Sequence, residues 1–264
     1  MSPAARVHVH RDKDEMARAA AERLLARVAE AQSARGSASV VLTGGRNGNG
    51  LLAALPSAPG RESVDFSRLD VWWGDERFLP EGHPERNVTQ AREALLDSVP
   101  LDPARVHPMA ASDGAYGSDV EAAAAAYESE LAAAARPEGA EIGAGVPSFD
   151  VLLLGVGPDT HVASLFPGHQ GVRETERMVV GVHDSPKPPP VRISLTLPAI
   201  RAAREVWLLA AGEDKADAVA RALAKADEDE SQAPAAGARG RDGTLWLLDE
   251  AAAAELPGDL LPRS

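Results

Sequence analysis

The run Phe149-Asp150-Val151-Leu152-Leu153-Leu154-Gly155-Val156-Gly157-Pro158-Asp159-Thr160-His161 decides the fold. An apolar stretch from Phe149 to Leu154 breaks into a Gly-x-Gly-Pro-Asp turn that carries a histidine. A strand so continuously apolar must be covered on both faces, which is the habit of parallel sheets. Working outward, Ser39 to Leu42, Leu69 to Trp73, Met178 to Val182, Val206 to Ala210 and Thr244 to Leu248 read as further buried strands. Between them, Met16, Ala20, Leu24 and Val28 mark a helix face after Asp12. Helices are also predicted at Pro84 to Ser98, Ser118 to Ala135 and Asp214 to Lys225. The alternation predicts an α/β fold: one domain over residues 1–264, a doubly wound, mostly parallel, Rossmann-like sheet with helices on both faces. Ligands of such sheets bind beyond the carboxyl ends of the strands. The segment Asp227 to Asp242, rich in Asp, Glu, Ala, Gly and Arg, reads as a mobile loop before the last strand.

The chain of 264 residues carries 27 Lys and Arg against 40 Asp and Glu, a formal net charge of −13. Such a field opposes a nucleic-acid groove or an anionic membrane surface, so neither partner is expected. An anionic small molecule is compatible only where a few cations converge locally. The absence of cysteine excludes disulfides and thiolate chemistry, and fits a reducing compartment, read as the cytoplasm. Charges at Arg6, Arg11, Asp12, Lys13, Asp14 and Glu15 break any signal-peptide pattern, and no run reaches membrane-spanning length. A monomer or small homo-oligomer is expected.

Four segments could carry chemistry. Leu42-Thr43-Gly44-Gly45-Arg46-Asn47-Gly48-Asn49-Gly50 reads as a glycine-rich turn between a strand and the helical run Leu51 to Leu55. Its backbone N–H groups and the following helix start suit an anion, though a plain flexible turn reads equally well. It has neither the Gly-Lys-Ser/Thr ending of a nucleotide loop nor dinucleotide spacing, so no cofactor is called for. Trp73-Gly74-Asp75-Glu76-Arg77, followed by His83 and Asn87, sets charged groups at a strand end; Arg77 can fork an oxyanion or phosphate, and Asp75 can accept from hydroxyls. A solvated ion pair is the competing reading. In the quoted run, His161 is the best candidate base, since an ordinary imidazole titrates near pH 6.5 and suits proton removal from water. The remaining histidines read as structural or exposed. Arg192 and Lys215 are cations that follow or open strands and could reach a phosphate, though each alone reads more readily as a surface charge.

Together these motifs resemble the 6-phosphogluconolactonase family across nearly the whole chain. The resemblance rests on Thr43-Gly44-Gly45, Asp75-Glu76-Arg77, Gly157-Pro158-Asp159-x-His161 through Ser164-Leu165-Phe166-Pro167, Arg192-x-Ser194-Leu195-Thr196 and Leu245-Trp246-Leu247-Leu248-Asp249. It implies a fold shared with glucosamine-6-phosphate deaminases, no metal, and hydrolysis of 6-phospho-D-glucono-1,5-lactone to 6-phosphogluconate. It further implies His161 as general base with Asp159 in its loop, and Asp75, Arg77 and Asn87 as substrate contacts. Gly44, Gly45, Arg46 and Asn47 would line the phosphate turn, with Arg192 and Lys215 as phosphate or oxyanion partners. Ser164 is expected to pack or cap a helix, because no Gly-x-Ser-x-Gly nucleophile elbow is present. Many members carry Gly where this chain has Thr160, so a positive φ there would strain a β-branched residue. Two alternatives remain: an amino-sugar phosphate deaminase, whose acidic Phe-Asn-Glu-Pro type segment is replaced here by Ser164-Leu165-Phe166-Pro167, and a non-catalytic sugar-phosphate sensor.

Overall fold

A computed structural model of the chain describes residues 5–135, 145–224, 229–258 and 260. Its main sheet has six strands in the order β1-β9-β8-β5-β2-β3. They are β1 (Arg6–His10), β2 (Ala38–Leu42), β3 (Leu69–Trp73), β5 (Val151–Gly155), β8 (Glu205–Ala210) and β9 (Gly243–Asp249). Every pairing in it is parallel. The helices are α1 (Lys13–Arg35), α2 (Gly45–Ala54), α3 (Asn87–Ala94), α4 (Val120–Ala134), α5 (Leu197–Arg201), α6 (Ala216–Ala224) and α7 (Pro234–Gly237).

Strand periodicity divides the core. Val40, Leu42, Val151, Leu153, Trp207 and Leu209 face α1, α2 and α3, whereas Val41, Leu152, Leu154, Val206 and Leu208 face α4, α5 and α6. Each fully buried leucine contributes about 1.5–3 kcal/mol, and the burial of both alternating sets produces the unbroken apolar runs. α1 begins where Asp12 accepts hydrogen bonds from the backbone N–H groups of Asp14 and Glu15, at 3.0 and 2.8 Å.

Several sequence expectations are corrected. Met178 to Val182 is not part of the main sheet: β6 (Val179–Val182) pairs antiparallel with β7 (Arg192–Leu195), which pairs antiparallel with β4 (Asp75–Arg77) in a separate three-stranded sheet. Periodicity reports that a strand is buried, not which neighbour it joins. Arg6–His10, Asp75–Arg77 and Arg192–Leu195 are strands that apolar periodicity does not reveal, because their polar residues mask the pattern. The Pro84 to Ser98 helix shortens to Asn87–Ala94, its start fixed by a carboxylate from β4 described below. The glycine-rich turn is already helical from Gly45 onward. Nor is Asp229 to Asp242 a bare loop: it holds α7, and Ala233, Ala235 and Ala238 are buried. Residues 227 and 228 of that predicted loop, and Lys225 at the predicted helix end, lie outside the described residues.

Beside the edge strand β3, His107 stacks on Trp72 with ring centroids 3.8 Å apart. Its Nδ1 lies 2.6 Å from Glu130 and its Nε2 lies 3.7 Å from Asp70. Burial alone would favour the neutral ring, but the two carboxylates outweigh it and raise the pKa to about 9. Because this folded-state value exceeds the ordinary one, the stabilisation is fully present below about pH 6.5 and is lost as pH rises through about 9. Denaturant titrations across that window should show a falling stability in the wild type and a flatter dependence in His107→Gln.

Candidate active site

β2 leads into α2 on one face of the sheet, while its neighbour β5 leads into a loop that packs on the other face. Their carboxyl ends therefore part, which is the topological switch point of an open α/β sheet. A cavity of about 190 Å³ lies there, lined by Thr43 and Gly44 after β2 and by Val156, Gly157 and Pro158 after β5. Thr43 Oγ1 accepts a hydrogen bond from the Gly155 N–H at 3.3 Å and bridges the two strand ends.

On the β5 side, His161 lines the cavity and its Nδ1 lies 2.5 Å from Asp159 Oδ1. Lys187 Nζ donates to Asp159 Oδ1 at 3.3 Å and lies 3.3 Å from His161 Nδ1. Partial burial pushes the Asp159 carboxyl upward, but the imidazole and the ammonium more than reverse this and hold it well below the usual carboxylate range. An ionised Asp159 accepts from Nδ1–H, so the lone pair sits on Nε2. That nitrogen makes no hydrogen bond to any described residue.

The loop is shaped by two positions. A Cβ on Gly157 would stand 1.9 Å from His161 Nδ1, so the ring can seat only over a glycine. Thr160 has φ 73°, the strain expected of it, at a cost of about 1–3 kcal/mol. It is held there by its fully buried position, by its N–H bond to Gly157 O at 2.9 Å, and by Ala235 N–H donating to its carbonyl at 3.0 Å. The segment around α7 thus braces the histidine turn from behind.

On the β2 side, Gly44 precedes α2, and the N–H groups of its first turn have no helical partner, so they and the helix dipole favour an anion. Gly45, Arg46 and Asn47 line the same wall. Asn47 donates to Leu209 O at 3.4 Å, and Lys215, after β8, pairs with Asp214 at 3.2 Å. Arg77 enters from β4 and donates to Glu85 O at 2.6 Å. Arg192 enters from β7, with Nε and Nη2 donating to the carbonyls of Lys187, Pro188 and Pro189. It therefore builds the turn that presents Lys187. Asp75 is buried, accepting from Ser164 Oγ at 2.7 Å and from Asn87 Nδ2 at 3.4 Å. Asn87 Nδ2 also donates to Asp75 O at 2.8 Å.

The fold brings together the residues given catalytic or binding roles by the resemblance: each lines the cavity except Asp159, which reaches it through His161. Sequence reading missed Lys187, which sits in the Ser185-Pro186-Lys187-Pro188-Pro189-Pro190 run. A lysine in a proline-stiffened turn was the available signal. It also missed Thr43 as a bridge; Ser164 is packed in the interior as expected, and its hydroxyl holds Asp75.

A doubly wound sheet with a carboxylate-held imidazole facing a cationic helix start at its switch point defines the class: an α/β protein with a small-molecule site for an anionic ligand. The sequence matches, over residues 11–246, the family described as glucosamine-6-phosphate isomerases/6-phosphogluconolactonase. It is 75% identical to a 6-phosphogluconolactonase of Streptomyces coelicolor, over 99% of this chain and 98% of that one. It is 52% identical to a 6-phosphogluconolactonase of Mycobacterium tuberculosis, over 95% of this chain and 98% of that one. Among solved structures, the 6-phosphogluconolactonase of Trypanosoma brucei superposes with a TM-score of 0.78 at 31% identity, covering 96% of this chain and 99% of that one. The chain belongs to the glucosamine-6-phosphate isomerase/6-phosphogluconolactonase family.

Gly157→Ala tests the seat of the imidazole. A displacement of about 1 Å at a reacting group can cost about 10²-fold, so turnover should fall by that order while the thermal unfolding midpoint changes little. Steady-state kinetics with a parallel melting curve measure both.

Proposed function

We propose that the chain hydrolyses 6-phospho-D-glucono-1,5-lactone to 6-phospho-D-gluconate in the oxidative pentose phosphate pathway, with His161 as general base. The observation that carries this reading is the meeting, in one cavity, of the Asp159–His161 pair with the α2 start and its cations. The full-length similarity to 6-phosphogluconolactonases supports the substrate. Reducing conditions, suited to a chain without cysteine, favour the cytoplasm as the place of action.

In this mechanism the phosphate rests on the N–H groups at Gly44 and Gly45, with Arg46, Asn47 and Lys215 beside it. Anchoring at this remote group sets the lactone carbonyl against His161 Nε2. Nε2 takes a proton from water as the water oxygen bonds to C1, and the carbonyl pair moves onto oxygen. Asp159 keeps Nδ1–H in place and stabilises the imidazolium. Arg77 and Lys187 lie on the cavity wall where the oxyanion develops, while Asp75 and Asn87 meet the sugar hydroxyls. As the tetrahedral centre collapses, the C1–ring oxygen bond breaks and the ring oxygen takes the proton from imidazolium, leaving a hydroxyl and a carboxylic acid that ionises. General-base help is worth about 10²–10⁴-fold, and oxyanion support about another 10²–10³-fold. For an activated ester those terms suffice without a covalent intermediate.

The test generates the lactone with glucose-6-phosphate dehydrogenase and follows its decay with and without the protein. Acceleration beyond spontaneous opening is expected; no acceleration, or ammonia release from glucosamine 6-phosphate, overturns the reading. His161→Ala should lower kcat by about 10²–10⁴-fold while calorimetric affinity for 6-phosphogluconate stays within a few-fold. Arg77→Ala should lower kcat more than it raises KM; a raised KM with kcat unchanged would assign Arg77 to the phosphate instead.

A further inference from the structure

Glu76 lies between Asp75 and Arg77 in the sequence, yet its side chain points the other way. Alternation along β4 sends it away from the cavity, and it is fully buried. A carboxylate in that position is expensive unless its lone pairs are filled. They are filled by backbone. Oε1 accepts from the N–H groups of Arg77 at 2.8 Å and Asn87 at 2.6 Å, and Oε2 from the N–H of Val88 at 2.9 Å. The guanidinium of Arg86, also fully buried, has its Nε 3.7 Å from Oε2. Arg86 is in turn fixed by Met109 O at 2.6 Å and Glu81 at 2.5 Å.

Asn87 and Val88 are the first two residues of α3, and Arg86 at its N-cap position offers the helix no side-chain acceptor. Glu76 supplies from another element the acceptor that a capping Ser or Asp normally provides, at the positive end of the helix dipole; burial raises its carboxyl to about 7, against the pull of those N–H groups and of Arg86 toward the ionised form. This pins the first residue of α3. The side chain of that residue, Asn87, then does two things in the cavity. Its amide donates to the carbonyl and the carboxylate of Asp75, and its Oδ1 is packed so tightly on Gly44 that a Cβ there would stand 1.9 Å away. One hidden carboxylate therefore ties together the backbone of Arg77, the amide that holds Asp75, and the turn that opens α2.

We propose that Glu76 is a positioning residue for the reaction: it never touches substrate, and it sets the spacing of Asp75, Arg77 and Asn87 against the Gly44 turn through the start of α3. The proposal rests on the lactonase reading above. It differs from a purely structural role, which would lower stability without selectively lowering catalytic efficiency. It also leaves the Asp159–His161 pair alone: among the described residues, the Glu76 side chain makes no hydrogen bond to that loop.

The experiment compares Glu76→Gln with Glu205→Gln. The control removes the charge of another buried carboxylate, paired with Arg27 and accepting from Trp207 Nε1 at 2.8 Å, at the far end of the sheet. In Glu76→Gln an amide NH₂ must face a backbone N–H, so the α3 start loses an acceptor. Lactonase kcat/KM should fall at least tenfold in Glu76→Gln and stay within twofold of wild type in Glu205→Gln. Should Glu76→Gln not fold, Glu76→Asp carries the same comparison, keeping the charge beside Arg86 but reaching one methylene less far. A kcat/KM loss below tenfold, or a loss matched by Glu205→Gln, overturns the proposal. An inactive wild type would instead overturn the lactonase reading, so the two failures are distinguishable.

Discussion

β2 and β5 are hydrogen-bonded neighbours whose chains leave the sheet on opposite faces, and the site depends on the gap this opens. Both strands are apolar on both sides, so both must lie inside the sheet with helices above and below. A parallel pair that diverges exposes backbone at its carboxyl ends, and Thr43 bridges the parting with its hydroxyl to Gly155 N–H. Once the strands separate there, the α2 start and the histidine turn face one another across a space the size of a small molecule. Neither segment has a ligand-sized site alone.

Electrostatics then sets the character of the cavity. The molecule as a whole repels anions, with a formal charge of −13, yet Arg46, Arg77, Lys187, Arg192 and Lys215 converge on one cavity. Their effect is local, because screening removes fields beyond about 8–10 Å at physiological salt. Arg192 spends its donors on the turn that carries Lys187, so one cation positions another. Lys187 and His161 share Asp159, which remains ionised and keeps the imidazole in the tautomer that a base requires.

Behind this surface stands a buried polar layer: Glu76, Arg86, Asn87, Asp75 and Ser164. Apolar packing would be at least as stabilising, because desolvating charges costs several kcal/mol per ion. Hydrogen bonds, however, have directions that packing lacks, and this layer joins β4, α3 and the histidine loop. The same logic applies at Thr160. Its strained backbone persists because the segment around α7 fills the space behind it, a segment whose composition resembles a solvated loop.

The amino-acid sequence by itself determined the layered α/β architecture, because burial on both faces leaves a direct trace in strands such as Val151–Gly155 and Leu69–Trp73. It also located the segments that follow strand ends and line the cavity, since in such a sheet sequence order and position at the carboxyl edge are linked. Only the tertiary structure decided that Val179–Val182 joins Arg192–Leu195 and Asp75–Arg77 in a second sheet, because strand partners are chosen by contacts between segments far apart in sequence. It alone revealed Lys187 beside Asp159 and Glu76 beneath the start of α3. A charged residue looks the same in sequence whether it is solvated or buried, and the difference lies entirely in which backbone N–H groups and counter-charges the fold brings to it.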